Sequence, residues 1–127
     1  MVVEQLSFLD EINEKEIRKT IIKELKNYRA VKVQLENRKE CNAAGVVSLF
    51  PSLRKQDTFN ELKVKQIERA LDQGLDVIEK EIITKKYLEP LLMNDLNIYM
   101  ELGLKKDVYY MKKRSAILNL ATALGII

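Results

Sequence analysis

The feature that most constrains this chain is a long apolar stripe near its N-terminus. Apolar residues recur at spacings of three and four over residues 13–37, and charged residues fill the positions between them. This period predicts one amphipathic helix of about six turns, with Asn13 and Glu16 as its capping signal. Such a helix docks along its own chain or pairs with a second copy. The stripe consists of Ile17, Ile21, Leu25, Tyr28, Val31 and Leu35.

After the stripe, the helical spacing of apolar residues is interrupted and then resumes in shorter segments. Residues 41–57 contain Gly45 and Pro51 and predict a linker whose apolar side chains are suited to docking on a neighbouring surface. Four helices are predicted beyond it, at about 58–73, 76–87, 96–102 and 106–124. No segment alternates like a strand, so we expect an all-α fold. The predicted organisation is an N-terminal helical segment over 1–40, the linker over 41–57 and a four-helix domain over 58–127.

The ends of these shorter helices carry recognisable signals. Thr58 and Glu61 form a predicted capping box for the first helix, and Gly74 ends it. Asp95 is the predicted cap of the third helix. In the second helix, Glu79 and Glu81 are two residues apart and do not share a face, so we expect both carboxylates to be solvated rather than to form an acid–base pair.

Composition excludes most kinds of catalytic site. The 127 residues include no histidine and one cysteine, Cys41, which excludes an internal disulfide, a Ser-His-Asp or Cys-His nucleophile and a Cys/His zinc site. The chain also lacks a glycine-rich phosphate loop, a secretory signal and any apolar run near the roughly 18–20 residues of a membrane span. We therefore expect a cytoplasmic protein that is not an enzyme and has no catalytic residues, cofactor or metal.

Positive charge is concentrated near the C-terminus. Residues 105–114 carry five basic residues and one acidic residue, so this segment accounts for more than the whole net charge of +3. A local basic stripe on an otherwise balanced chain is typical of nucleic-acid contact, although a solvated helix face is the alternative.

The same segment belongs to a predicted helix-turn-helix. A short helix reaches Gly103, which permits the positive φ of a tight turn, and Leu104 then fills the angle between that helix and the next. On the second helix we expect Tyr109 to point inward and Tyr110 outward. Two rotations remain open, because either Met111 is buried or Lys112 lays its aliphatic stem along the edge of the core.

The candidate DNA-binding residues follow from this arrangement. We expect Lys105, Lys106 and Lys113 to contact phosphates, and Tyr110 and Arg114 to reach base edges. Asp107 is either the charge partner of the helix dipole or an acceptor for a cytosine amino group.

Two resemblances support a DNA-binding function. The segments DVIEKEIITKKY and NIYMELGLKKDVYYMKKRSAILNL resemble region 4 of bacterial sigma factors, although Lys112 stands where that pattern has an apolar residue. Over nearly the whole chain, the segments LDEINEKEIRK, NYRAVK, LFP, ELKVKQIERALD, EKEIITKKYL and YYMKKRSAILNLATALGI resemble the ArpU family of phage transcriptional regulators.

These resemblances imply a long helix followed by a sigma-region-4-like domain that ends in a helix-turn-helix. They also imply a sequence-specific regulator that binds double-stranded DNA in the cytoplasm of a bacterial host. It would control phage or prophage late genes for packaging and lysis, as an activator working with host RNA polymerase. We expect the N-terminal helix to mediate self-association or polymerase contact, with no membrane partner. The alternative is a helical protein–protein adaptor or anti-sigma-like module that does not bind DNA.

Overall fold

Helices make up nearly all of the regular structure of the chain. The computed structural model describes residues 11–53, 59–91 and 93–127, with side chains from residue 13 onward. No strand occurs in these ranges, which confirms the predicted all-α class. The described residues also contain no helix with the length and apolar character needed to cross a bilayer. The elements are α1 (Glu11–Ala43), α2 (Asn60–Gln73), α3 (Val77–Ile83, continued by a π-helical turn over Thr84–Leu88), α4 (Asp95–Glu101) and α5 (Lys106–Ala123).

Helix α1 is longer at both ends than the sequence pattern predicts. It contains 33 residues, so Asn13 lies inside it and the predicted capping role of Asn13 is wrong. At the other end, no glycine or proline interrupts residues 37–43, so the helix runs past the predicted start of the linker. It ends at Ala43, and the φ of 72° at Gly45 in the following turn allows the Val46 N–H to donate to the Cys41 carbonyl at 2.9 Å.

The apolar stripe of α1 is buried in the core of its own chain. Ile17, Ile21, Leu25, Tyr28 and Val31 pack in one cluster with residues of α2 and α5, and Leu35 borders that cluster. Of the two arrangements open for the stripe, the structure therefore shows docking along the chain itself. The partners contributed by α2 and α5 are Val64, Ile67, Ala70, Leu71, Ala116, Ile117, Leu120 and Ala121.

The connection between α2 and α3 depends on close packing and a reciprocal cap. The predicted cap Thr58 lies outside the described residues, and Phe59 precedes α2 without a side-chain cap. Gly74 follows α2 with a φ of −91°, so it is not needed for a left-handed turn. A Cβ there would lie 2.6 Å from the Ala70 carbonyl oxygen and 3.3 Å from the Ala123 Cβ, which leaves little room for a side chain.

Glu79 has a structural role that differs from the one expected for it. Its backbone N–H donates to Asp76 Oδ1 at 2.7 Å, and its Oε1 accepts from the Asp76 N–H at 2.9 Å, so the two residues form a capping box on α3. Its Oε2 accepts from Asn119 Nδ2 of α5 at 3.0 Å. Glu79 is only 4% exposed, so the expectation that it is solvated is wrong, whereas Glu81 is exposed. Burial is tolerated because both carboxylate oxygens have donors.

The role of the stripe can be tested with one substitution and a matched control. Leu25 is 1% exposed, and we expect Leu25→Ala to lower the free energy of unfolding by about 2–5 kcal/mol, because it leaves a cavity between helices. Leu62→Ala on α2 makes the same chemical change at a side chain that is 53% exposed, and should cost less than about 1 kcal/mol. Urea unfolding followed by circular dichroism measures both. Equal losses in the two variants would contradict the assigned packing.

Candidate nucleic-acid interface

Helices α4 and α5 are joined by the tight turn that the sequence predicts. Gly103 has a φ of 68°, and the Leu104 N–H donates to the Tyr99 carbonyl at 2.8 Å, which closes a Schellman-type end on α4. Leu104 is half-buried beside the cluster of Ile98 and Tyr109. Both predicted roles are confirmed: the glycine makes the turn, and the leucine after it fills the angle between the helices.

The start of α4 differs from the prediction by one residue. Asn94 is the N-cap, and its Oδ1 accepts from the Asn97 N–H at 2.9 Å. Asp95 is the first residue of the helix, so its predicted capping role is wrong. The physical reason is that the Asp95 side chain is directed across the turn onto α5, where it meets stronger donors than a backbone N–H.

A small second core fixes α5 against α3 and α4. Ile82, Ile98 and Tyr109 are fully buried there, and the Tyr99 and Tyr109 rings lie 5.6 Å apart. Tyr110 is exposed, with its ring edge-on to Tyr109 at 5.2 Å. The predicted orientations of Tyr109 and Tyr110 are therefore confirmed, and they set the rotation of α5 about its axis.

Asp95 is the polar centre of this second core. Its Oδ1 accepts from the Tyr109 hydroxyl at 2.6 Å and from Lys113 Nζ at 3.0 Å, and Lys86 Nζ lies 3.6 Å away. Burial opposes ionisation of the Asp95 carboxyl, but the hydrogen bonds from Tyr109 and Lys113 outweigh it, so the pKa of Asp95 is lowered. Burial, together with the hydrogen bond to Asp95, raises the pKa of Tyr109. Asp95 therefore holds the two helices of the turn together as an anion.

Intramolecular ion pairs take up much of the basic stripe on α5. Lys113 was expected to contact phosphate, but its side chain is only 16% exposed and its ammonium group is bound to Asp95. Of the two rotations that the sequence leaves open for α5, the structure has the one in which the Lys112 stem lies along the edge of the core. Lys112 Nζ is 2.8 Å from Asp76 Oδ2, and Met111 is exposed. Arg114 Nε donates to Glu14 Oε1 of α1, although the arginine side chain stays mostly exposed.

The remaining predicted residues lie together at the N-terminal end of α5. Lys105, Lys106 and Asp107 are exposed there, and none of them forms an ion pair with another described residue. Tyr110 follows one turn after Lys106 and is also exposed. Because the first-turn N–H groups of an 18-residue helix point toward the same place, this end of α5 favours an anion.

We call the exposed residues of this surface the α5 face. It consists of Lys105, Lys106, Asp107, Tyr110 and Arg114. The structure thus keeps five of the six sequence-predicted residues on one exposed surface and assigns Lys113 to the Asp95 centre. The sequence predicts Asp95 as a cap but not its contact with α5, because that contact joins two helices whose relative position no local pattern reveals. Among the described residues, no group of Cys, Asp and Glu side chains is arranged to hold a metal ion.

The Asp95 centre predicts a pH-dependent contribution to stability. Asp95→Asn should lower the free energy of unfolding by about 1–3 kcal/mol at pH 7, because it removes the charge that Tyr109 and Lys113 face. Since the folded-state pKa of Asp95 is lowered, this contribution is complete above the unfolded value of about 3.9 and is lost as pH falls through the folded pKa. The difference in the free energy of unfolding between wild type and Asp95→Asn should therefore become smaller below about pH 4.

Urea unfolding at several values between pH 3 and pH 7 measures that difference. Asp107→Asn is the control, because Asp107 is exposed and has no ion pair with a described residue. If the difference in the free energy of unfolding between wild type and Asp95→Asn stays constant down to pH 3, the role assigned to the ionised carboxylate is contradicted.

Comparison with protein-family models, with curated proteins and with solved structures finds no match to this chain. Three features of the α5 face bear on its function: a tight turn between two helices, an exposed basic helix start and a rotation set by Tyr109.

Proposed function

We propose that this protein is a sequence-specific regulator that binds double-stranded DNA through the α5 face, with α2–α5 as a sigma-region-4-like domain. The observation that carries the proposal is the pair of helices joined at Gly103, with Lys105 and Lys106 exposed at the start of the second helix and in no ion pair with another described residue. In a helix-turn-helix, the N-terminal residues of the second helix are those that contact base edges in the major groove.

The positions of the charged and aromatic side chains support different DNA contacts for different residues of α5. Lys105 and Lys106 flank the helix N-terminus, where the backbone N–H groups add to their attraction for phosphate. Tyr110 lies one turn further along the exposed surface and offers a ring and a hydroxyl to a base edge. Asp107, between them, can accept a hydrogen bond from a cytosine amino group.

Arg114 joins the DNA contact while it keeps its partner Glu14. The Arg114 side chain is 64% exposed, whereas that of its partner Glu14 is 19% exposed, so the guanidinium group is accessible to a second partner while it is paired. A guanine edge or a phosphate can accept hydrogen bonds from the exposed part of this guanidinium group. Lys113 has less freedom, because its side chain is only 16% exposed and its ammonium group is bound to Asp95, so we assign it a structural role.

The regulatory setting of the proposal comes from the resemblance to the ArpU family. It extends the proposal to an activator of phage or prophage late genes that acts with host RNA polymerase in the bacterial cytoplasm. The double-stranded DNA contact is the part of this proposal that the α5 face supports directly.

A second candidate is a helical adaptor or anti-sigma-like module without DNA binding. The observation that favours it is the neutralisation of Lys112, Lys113 and Arg114 by Asp76, Asp95 and Glu14. If these three ion pairs remain formed in the presence of DNA, the positive surface that can attract DNA is limited to the start of α5.

The first experiment separates the two candidates by salt dependence. A preferred duplex is selected from a random library, and binding is titrated by fluorescence anisotropy at several salt concentrations. Lys106→Ala should lower the slope of log K against log salt by about 0.9, because one phosphate contact is lost. Lys113→Ala should leave the slope unchanged and reduce stability instead. Lys65→Ala, at an exposed position on α2, is the control for loss of one positive charge.

The second experiment tests base reading. Tyr110→Ala and Arg114→Ala should each cost roughly 1–3 kcal/mol on the selected duplex and much less on a scrambled one. A wild-type protein that fails to retard the selected duplex at physiological salt would overturn the DNA proposal in favour of the adaptor. Binding that both substitutions leave intact would remove α5 from the interface.

A further inference from the structure

The ion pair between Arg114 and Glu14 joins the α5 face to the first turns of α1. Arg114 Nε donates to Glu14 Oε1, and within the described ranges this is the only side-chain hydrogen bond that Arg114 forms. The Glu14 side chain is 19% exposed and the arginine side chain 64%. Both line a small hollow between the two helices, together with Arg18, Ile117 and Leu118. The carboxylate is therefore held at the junction of the helices, and the guanidinium group extends from it into solvent.

The atom that Arg114 uses for this bond decides which part of its guanidinium group stays available. An arginine side chain ends in a planar fork, in which Nε and the terminal nitrogens Nη1 and Nη2 all carry N–H donors. Because Glu14 accepts from Nε, the terminal nitrogens are left without an acceptor among the described residues. A fork that is bonded at one donor also loses orientational freedom, so less entropy is lost when a ligand binds the others. Arg114 is therefore pre-organised for a ligand that offers two adjacent acceptors.

We propose that Glu14 is a positioning residue that orients Arg114 to read one guanine in the major groove. This inference rests on the proposed DNA contact of the α5 face, and it names the base that one residue of that face reads. Guanine presents two acceptors, O6 and N7, at its major-groove edge, whereas adenine presents one acceptor beside a donor. The terminal nitrogens of Arg114 donate to both guanine atoms while Nε stays bound to Glu14.

The place of Arg114 on α5 suits a base contact. Lys106, Tyr110 and Arg114 follow one another at spacings of four and are all exposed, so they lie in a row along one side of the helix. Lys106 is at the helix N-terminus, where a phosphate is favoured, and Arg114 lies about 12 Å further along the axis. In a helix that lies in the major groove, residues spaced by three or four along one side reach the base edges.

The charge of Glu14 favours guanine over a phosphate as the ligand of Arg114. An unpaired arginine attracts any phosphate, and that attraction is independent of sequence. The Glu14 carboxylate opposes this attraction, whereas hydrogen-bond donation by the terminal nitrogens of Arg114 is retained. Because Glu14 is partly buried, its charge is screened less by water than that of an exposed carboxylate. The pair therefore lowers affinity for DNA in general and keeps the discrimination between bases.

The test removes the N7 acceptor from the DNA. Each guanine of the selected duplex is replaced in turn by 7-deazaguanine, which keeps the base pair, and binding to the full chain is measured by fluorescence anisotropy. At one position, the wild-type protein should lose roughly fivefold or more in affinity. Arg114→Ala should bind the original and the modified duplex equally well. Glu14→Ala should lose most of the wild-type penalty, whereas Glu14→Gln should keep it, because an amide oxygen still accepts from Nε. Glu16→Ala is the control, since Glu16 is exposed on α1 and has no ion pair with another described residue.

The outcomes separate this inference from the DNA-binding proposal. The measured quantity is the ratio of two affinities of one variant, so a lower folded fraction of Glu14→Ala changes both affinities alike and leaves the ratio unchanged. A full wild-type penalty in Glu14→Ala, or equal losses in Glu14→Ala and Glu14→Gln, would overturn the positioning role and leave the DNA contact standing. A penalty that survives in Arg114→Ala, or a wild-type protein without a penalty at any guanine, would refute guanine reading by Arg114. A wild-type protein that binds no selected duplex would overturn the DNA contact, and this inference with it.

Discussion

Burial of the α1 stripe is the constraint on which the rest of the fold depends. The stripe presents Ile21 and Leu25, each almost fully buried, to α2 on one side and to α5 on the other. Helix α2 has its most extensive contact with α1, and α5 packs on both α1 and α3. Because the hydrophobic contribution grows with the apolar area removed from water, the buried stripe stabilises the packing of α2 and contributes, together with α3, to that of α5.

The second core, around Tyr109, differs from the core around α1 in its polar edge and in fixing the rotation of α5. It is small, and at its edge it contains a charged group, Asp95, that accepts hydrogen bonds from Tyr109 and Lys113. Hydrophobic contact is non-directional, whereas these bonds are directional, so they fix the rotation of α5 as well as its position. That rotation decides which residues of the basic stripe face outward. The Asp95 centre is therefore the link between the packing of the domain and the chemistry of its α5 face.

Much of the candidate site follows from local sequence, and the exceptions share one cause. Gly103, Leu104, Tyr109 and Tyr110 behave as their positions indicate, because turns and helix periodicity depend on near neighbours. Lys113 does not, because its position on the outward-facing pattern says nothing about a carboxylate on the preceding helix. Glu79 is missed partly for the same reason, because Asn119 is distant in sequence, although its capping contact with Asp76, three residues earlier, is a local signal. A charged side chain with a long stem can turn toward either solvent or a partner, and periodicity does not distinguish them.

The sequence by itself determines the all-helical class, the approximate helix limits and the position of the turn at Gly103, since each depends on residues within one or two turns of one another. Tertiary structure alone decides that the α1 stripe packs on its own chain rather than on a second copy, because the choice depends on whether α2 and α5 present a matching surface. It also decides which cations remain available to a partner. Lys105 and Lys106 remain exposed, while Lys112 and Lys113 are held by Asp76 and Asp95, since an ion pair forms only where folding brings the two charges together.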